Sequence, residues 1–270
     1  MGHLLDCLNE LDRKSELESL REKILATDPD NTRALYRLMH LYQDRMNDKR
    51  DPSWFAPALE LADKLVRLQP TAYYYIERGL LLSDMYRLED AIDDYKKAAQ
   101  EEPDNLYAYN NAGVNCQHLD RFEEAEEYFK KSIALLGEED ESVLPWKNLA
   151  MLYLIQKRYE EAWDCVAENE KRFPDRASLY MDRAEILEKS GQFGEAIREY
   201  ERFLEKKDSK SRRAKVNIAN VYAMMGDTRT AQKCFKKLLK EFPGDRWIEN
   251  QWIDFMLEEQ VDLRTAYSIL

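Results

Sequence analysis

Apolar residues return every three or four positions along nearly the whole chain. In "RFEEAEEYFKKSIALL", residues 121–136, the residues Phe122, Ala125, Phe129, Ile133 and Leu136 line one face of a single amphipathic helix. The alternating pattern of a strand is absent throughout. Just upstream, "YAYNNAGVNC" keeps the helical period but places Gly113 in its middle. A glycine there costs about 1 kcal/mol relative to alanine, so some neighbour must need the missing side chain.

The chain answers by repeating itself. "YIERGLLLSDMYRLEDAIDDYKKAAQEEP" lies over "YNNAGVNCQHLDRFEEAEEYFKKSIALLG" with an offset of 34 residues, which pairs Gly79 with Gly113, Ala91 with Ala125 and Tyr95 with Phe129. Further along, Ala150, Ala184 and Ala219 take the glycine slot, and Ala162, Ala196 and Ala231 the second small slot. Pro70, Pro103, Pro174 and Pro243 follow the second helix of their repeats, where proline stops a helix.

This period and these slots resemble the tetratricopeptide repeat family along nearly the whole length. The repeat near Ser142 matches best, through Trp146, Leu149, Ala150, Tyr153, Ala162 and Pro174. The resemblance implies an all-α, right-handed α-solenoid of antiparallel helix pairs, forming one domain over 1–270. Its units run approximately 1–30, 31–70, 71–104, 105–141, 142–175, 176–210 and 211–244, with a partial one at 245–270. Small residues on each first helix then let the second approach closely. Tyr95, Phe129, Tyr200 and Phe235 fill the space between repeats, and Gly191 and Gly226 end first helices with positive φ.

Some stretches depart from the pattern. The first unit holds Leu4, Leu5 and Leu17 where small residues belong, although Ser15 and Glu18 form a capping box. "NDKRDPSWFAP" predicts a longer loop between two helices, with Trp54 and Phe55 folding back, and "GEEDESVLP" a shorter insertion. The last helix has barely begun when the chain stops on Ile269 and Leu270. A solenoid closes on a polar face, so the expectation is a fragment of a longer protein or a homodimer through that end.

Composition narrows the function. Only 8 Gly and 8 Pro stand among 270 residues, and 35% are charged, as suits a helical cytoplasmic protein. No apolar run reaches the roughly 20 residues of a membrane span, and the N-terminus is no signal peptide. The net charge of −12 argues against nucleic acid. It is unevenly spread: residues 206–246 hold 12 Lys/Arg against 4 Asp/Glu, leaving −20 for the remainder. That stretch reads as a solvated face or, more sharply, a docking patch for an acidic partner. Cys7, Cys116, Cys165 and Cys234 lack metal-ligand spacing, His3, His40 and His118 form no cluster, and no nucleophile or cofactor motif stands out. A non-enzyme with no metal or cofactor is expected.

Binding is better supported. In the repeat family the first helices line a concave groove, and the position two before the small slot points into it. Here it holds Glu77, Asn111, Asn148, Asp182, Asn217 and Gln251. Family members with asparagine there hold the main chain of an extended peptide, and an amide both donates and accepts. The alternative is a merely polar, wet groove. Tyr73, Tyr107, Leu144 and Trp247 sit six residues before the small slot, Met181 three before it, and Val114 and Met151 just after it, offering side-chain pockets. The carboxylate clamp of co-chaperones fits poorly. Lys147 and Arg213 match its basic slots, but Met151, Asp182 and Asn217 do not match the rest. A non-catalytic scaffold for a protein or peptide partner is the preferred reading. The alternatives are a peptide-sensing regulator and the docking arm of a larger enzyme.

Overall fold

The computed structural model describes residues 19, 22–23, 25–49, 52–137, 142–174, 176–206 and 210–258. The calls on Leu4, Leu5, Leu17, the Ser15–Glu18 box and the last residues, Ile269 and Leu270, lie outside them. Among the described residues the regular elements are helical. They are α1 (Thr32–Lys49), a 3₁₀ turn (Pro52–Trp54), α2 (Phe55–Leu68), α3 (Ala72–Asp84), α4 (Leu88–Glu101), α5 (Leu106–His118) and α6 (Phe122–Ala134). Then follow α7 (Leu144–Ile155), α8 (Tyr159–Arg172), α9 (Ser178–Lys189), α10 (Phe193–Lys206), α11 (Arg212–Met224), α12 (Thr228–Glu241) and α13 (Arg246–Glu258). They make an all-α solenoid of antiparallel helix pairs.

The chain divides into two compact units, residues 1–148 and 149–270, and the division falls inside α7. In the first, α1 pairs with α2, α3 with α4 and α5 with α6, and each pair packs on the next. In the second, α9 pairs with α10 and α11 with α12, while α13 closes against α11 and α12.

The small slots are close-approach points. A Cβ on Gly79 would stand 2.6 Å from the ring of Tyr95, and one on Gly113 would stand 2.7 Å from the ring of Phe129. Ala91, Ala125, Ala162, Ala184, Ala196, Ala219 and Ala231 are fully buried, as are Tyr95, Phe129, Tyr200 and Phe235. Pro70, Pro103, Pro174 and Pro243 each stand two residues beyond the end of α2, α4, α8 and α12. The insertion around Trp54 differs from the loop expected. Residues 47–49 extend α1, the 3₁₀ turn follows, and Phe55 opens α2. Trp54 does fold back, with its ring 5.1 Å from that of Tyr42, and both Trp54 and Phe55 pack on the Leu35–Met39 core. Burying those two rings favours a 3₁₀ turn that feeds directly into α2 over a loop that would leave them in water.

The five turns from first to second helix after α3 are built alike. Tyr86, Asp120, Lys157, Gly191 and Gly226 all have φ between 56° and 80°. The next residue's N–H (Arg87, Arg121, Arg158, Gln192, Asp227) donates to the carbonyl five residues back at 2.7–2.9 Å. This is the helix-ending motif in which a left-handed residue closes a six-residue hydrogen bond. Glycine adopts that conformation freely; the Tyr86, Asp120 and Lys157 side chains are strained there. Lys157 is exposed and no ion pair holds it among the described residues. Lys157→Gly is therefore expected to stabilise the fold by about 0.5–1 kcal/mol, read as a higher urea midpoint. A midpoint that falls would show that the turn tolerates lysine without strain.

Three of these turns carry a further signature. Arg87 pairs with Asp90 at 2.6 Å, Arg121 with Glu124, and Arg158 with Glu161 at 2.9 Å, each acid sitting in the first turn of the following helix. Carboxylates there meet the positive end of the helix dipole.

Candidate functional site

The six positions two before the small slot are half-buried on first helices: Glu77 on α3, Asn111 on α5 and Asn148 on α7 in the first unit, and Asp182 on α9, Asn217 on α11 and Gln251 on α13 in the second. Four residues before each stands a side chain one helical turn away on the same face. Those side chains are Tyr73, Tyr107 and Leu144 in the first unit, all exposed, and Ser178, Arg213 and Trp247 in the second. Tyr107 is 51% exposed, unusual for a tyrosine on a helix whose other face is core. Of these six first helices, all but α9, which has Ser178, thus present a bulky side chain beside a polar one.

The first unit brings two of the sequence candidates together through a residue that sequence reasoning missed. Asn148 Nδ2 donates to Asn110 Oδ1 at 2.8 Å, and Asn110 Nδ2 donates to Asn111 Oδ1 at 3.3 Å. Asn110 is only 5% exposed, so its amide is an internal bridge between α5 and α7. The bridge holds both outer amides in place. It leaves the Asn111 amide nitrogen and the Asn148 amide oxygen without a partner among the described residues. One donor and one acceptor are what a peptide unit's C=O and N–H require. The pair of adjacent amides, "NN", is the signal that marks Asn110 in the sequence, but helical phase alone does not say which of the two turns inward.

Other candidates are engaged elsewhere in the fold. Glu77 stands 3.2 Å from His40 Nε2 on α1, and the Tyr73 hydroxyl donates to that of Tyr36. The Tyr36, Tyr73 and Tyr74 rings lie within 6.4 Å of one another, so "TAYYYIE" packs a cluster in which Tyr73 alone is exposed. Burial pushes the Tyr36 phenol above its ordinary range, and its bond to Tyr73 adds to this. Lys147 is half-buried on α7.

In the second unit, Asn217 bonds the Tyr200 hydroxyl, which itself donates to Glu188 at 2.9 Å. Burial, with Glu188 beside it, drives that phenol up. Met151, Met181 and Asp182 are half-buried, and Arg213 is exposed. Between α11 and α13 lies a depression of about 340 Å³ lined by Asn220, Met224, Gln251, Asp254 and Phe255. Gln251, a groove position by sequence, thus faces open space.

Among the described residues no group of His, Cys, Asp and Glu is arranged to hold a metal, and no helix is long and apolar enough to cross a membrane. Cys116 and Cys165 are buried and Cys234 half-buried, all as free thiols. Burial pushes the Cys116 and Cys234 thiols up, away from the reactive thiolate.

Three tetratricopeptide-repeat family models match the chain, at residues 106–135, 148–211 and 213–245. The TPR repeat-containing protein MJ1428 of Methanocaldococcus jannaschii is 27% identical over 190 residues, a match covering 56% of this chain and 34% of that protein. Human protein O-mannosyl-transferase TMTC1 is 24% identical over 164 residues, covering 58% of this chain and 17% of the transferase. The chain therefore spans about a third of the length of the first of these relatives and about a sixth of the second. A crystal structure of a tetratricopeptide repeat protein from Parabacteroides merdae superposes with a TM-score of 0.74 at 17% identity, over 94% of this chain and 96% of that one.

Proposed function

Because the chain belongs to the tetratricopeptide-repeat family, a fold that serves as a scaffold for protein–protein interaction, we propose that it binds an extended peptide segment of a protein partner along the first-helix face. The observation that carries this reading is the bridged amide set Asn111–Asn110–Asn148. It spends one buried amide on orienting two outer ones, whose free donor and acceptor suit a peptide main chain. Tyr107 and Leu144, one turn away from them, supply apolar surface for alternate side chains of that peptide. A hydrogen bond of this kind contributes about 0.5–1.5 kcal/mol, and its value here lies in being held ready before the partner arrives. Lys147 extends the same reading along α7 in the first unit, and Met151, Asp182, Asn217 and Arg213 are read likewise within the second.

The scaffold is read as non-catalytic, cytoplasmic and independent of cofactors, nucleic acid and membrane. The match to part of a mannosyl-transferase favours one second reading, the docking arm of a larger enzyme. In that case the same face engages the substrate protein or a neighbouring domain.

The test uses peptides selected on the full chain from a displayed random library, followed by calorimetric titration. Tyr107→Ala combined with Asn111→Ala is expected to weaken binding about tenfold, or about 1.4 kcal/mol, while the helical circular dichroism spectrum is retained. Asn148 is left intact because it makes the shorter bond to the buried Asn110, 2.8 Å against 3.3 Å for Asn111. Selected peptides that bind the double variant as tightly as the wild type would move the site off this face.

A further inference from the structure

Helix α12 departs from a charge pattern that most of its sibling second helices follow. The second helices α4, α6 and α8 open with acids: Glu89 and Asp90, Glu123 and Glu124, Glu160 and Glu161. In α12 the acid stands one step earlier, at the N-cap Asp227, whose carboxylate accepts from Thr230 N–H at 3.0 Å, and the first turn itself carries Arg229 in place of an acid. One turn on, Lys233 takes the place that Asp93, Glu127 and Asp164 hold in those helices.

In α4, Lys97 is matched by Asp94 at 3.4 Å, and in α6, Lys130 by Glu126 at 2.7 Å. On α12, Arg229, Lys233, Lys236, Lys237 and Lys240 are all exposed and have no ion pair among the described residues. The acid at the end of the helix, Glu241, is already taken by Lys215 of α11. Like charges four residues apart repel, so this arrangement costs the helix stability and returns none to the fold. Local rules broken without a structural gain mark functional sites.

The five cations, with Gln232, line a trough of about 450 Å³ along one face of α12. Arg229, Lys233 and Lys237 form one ridge; Lys236 and Lys240 form the other. From Arg229 to Lys240 the stripe runs about 16 Å, and its ridge steps about 6 Å per four residues. Alternate side chains of an extended peptide recur at about 6.6 Å, so carboxylates at every second position meet successive cations. The apolar face of the helix, with Ala231, Phe235 and Leu238, is buried in the core and offers no anchor to a lipid bilayer.

We infer that the outer face of α12 docks an acidic protein segment with carboxylates at alternate positions. This surface is separate from the first-helix face and does not depend on it. Binding there is electrostatic, weakens as salt is raised, and supplies orientation and a fast on-rate.

The probe is a fluorescein-labelled twelve-residue peptide of alternating glutamate and serine, with a glutamine-for-glutamate peptide as control, titrated into the full chain at low salt. The glutamate peptide is expected to bind at least about tenfold tighter than the control. Lys233→Glu with Lys237→Glu is expected to lose that advantage, and Lys236→Gln with Lys240→Gln to lose part of it, both with unchanged circular dichroism. Tyr107→Ala with Asn111→Ala is expected to leave it intact. Equal affinity of the glutamate peptide for wild type and the double reversal would overturn the inference. So would phosphatidylserine vesicles that bind the wild type while the glutamate peptide does not.

Discussion

Asp94→Ala is expected to destabilise the first unit by about 3 kcal/mol. Asp94 is 2% exposed on α4, and both its oxygens accept from Arg78 of α3, at 2.6 and 2.7 Å. Arg78 also donates to Asp63 of α2 at 2.8 Å, so one guanidinium ties three helices together. The bond to Asp94 is the main reason that guanidinium is held above its ordinary value. Removing one partner of a buried pair typically costs about 3–5 kcal/mol, because the other charge stays in place without compensation. The lower figure applies here because Asp63 remains and is itself partly open to water. Urea unfolding followed at the helical signal measures it, and a loss below about 1 kcal/mol would mean that Arg78 simply turns to solvent. The second unit repeats the arrangement with Arg183 and Glu170, where Arg202 also pairs with Glu199.

Gly113→Ala comes next, with an expected net loss of up to about 2 kcal/mol. The new methyl would stand 2.7, 2.8 and 3.1 Å from three atoms of the Phe129 ring, which is fully buried and has nowhere to move. Overpacking of this kind costs about 1–3 kcal/mol. Alanine's better helix propensity returns about 1 kcal/mol, so the sign depends on the ring's confinement. Phe129→Leu in the same chain removes the clashing ring atoms. The two changes together should therefore cost less than their sum, by about 1 kcal/mol or more. A simple sum in the double variant, or an alanine that stabilises, would show that the α5–α6 spacing yields easily. Gly79 against Tyr95 makes the same test independently, with the ring further tied through its hydroxyl to Ser83 at 3.2 Å.

The period of small residues and prolines was enough to place the helices and their pairing. A glycine that survives inside a helix, and an aromatic sixteen residues later, report a close contact that any observer of the sequence can infer. The two positive-φ glycines, Gly191 and Gly226, were equally legible because that conformation selects glycine. Tyr86, Asp120 and Lys157 hold the same conformation without advertising it, since the hydrogen bond that closes the turn imposes it on whatever residue stands there. At "NDKRDPSWFAP" Trp54 and Phe55 fold back as expected, and their burial draws residues 47–49 and 55–57 into the flanking helices, which the prolines alone did not suggest.

What the sequence determined by itself is therefore the repeat, its helices, their small-to-large packing slots and the excess of positive charge between residues 206 and 246. Those features depend on periodicity, and periodicity is local. Tertiary structure alone decided which members of a polar run turn inward: Asp94 rather than Asp93, and Asn110 rather than Asn111. It also decided which lysines find acids and which do not, as Lys97 beside Asp94 and Lys237 without a partner among the described residues show. Neighbouring residues on a helix differ by 100° in direction, and only the position of the next helix says which direction is the interior.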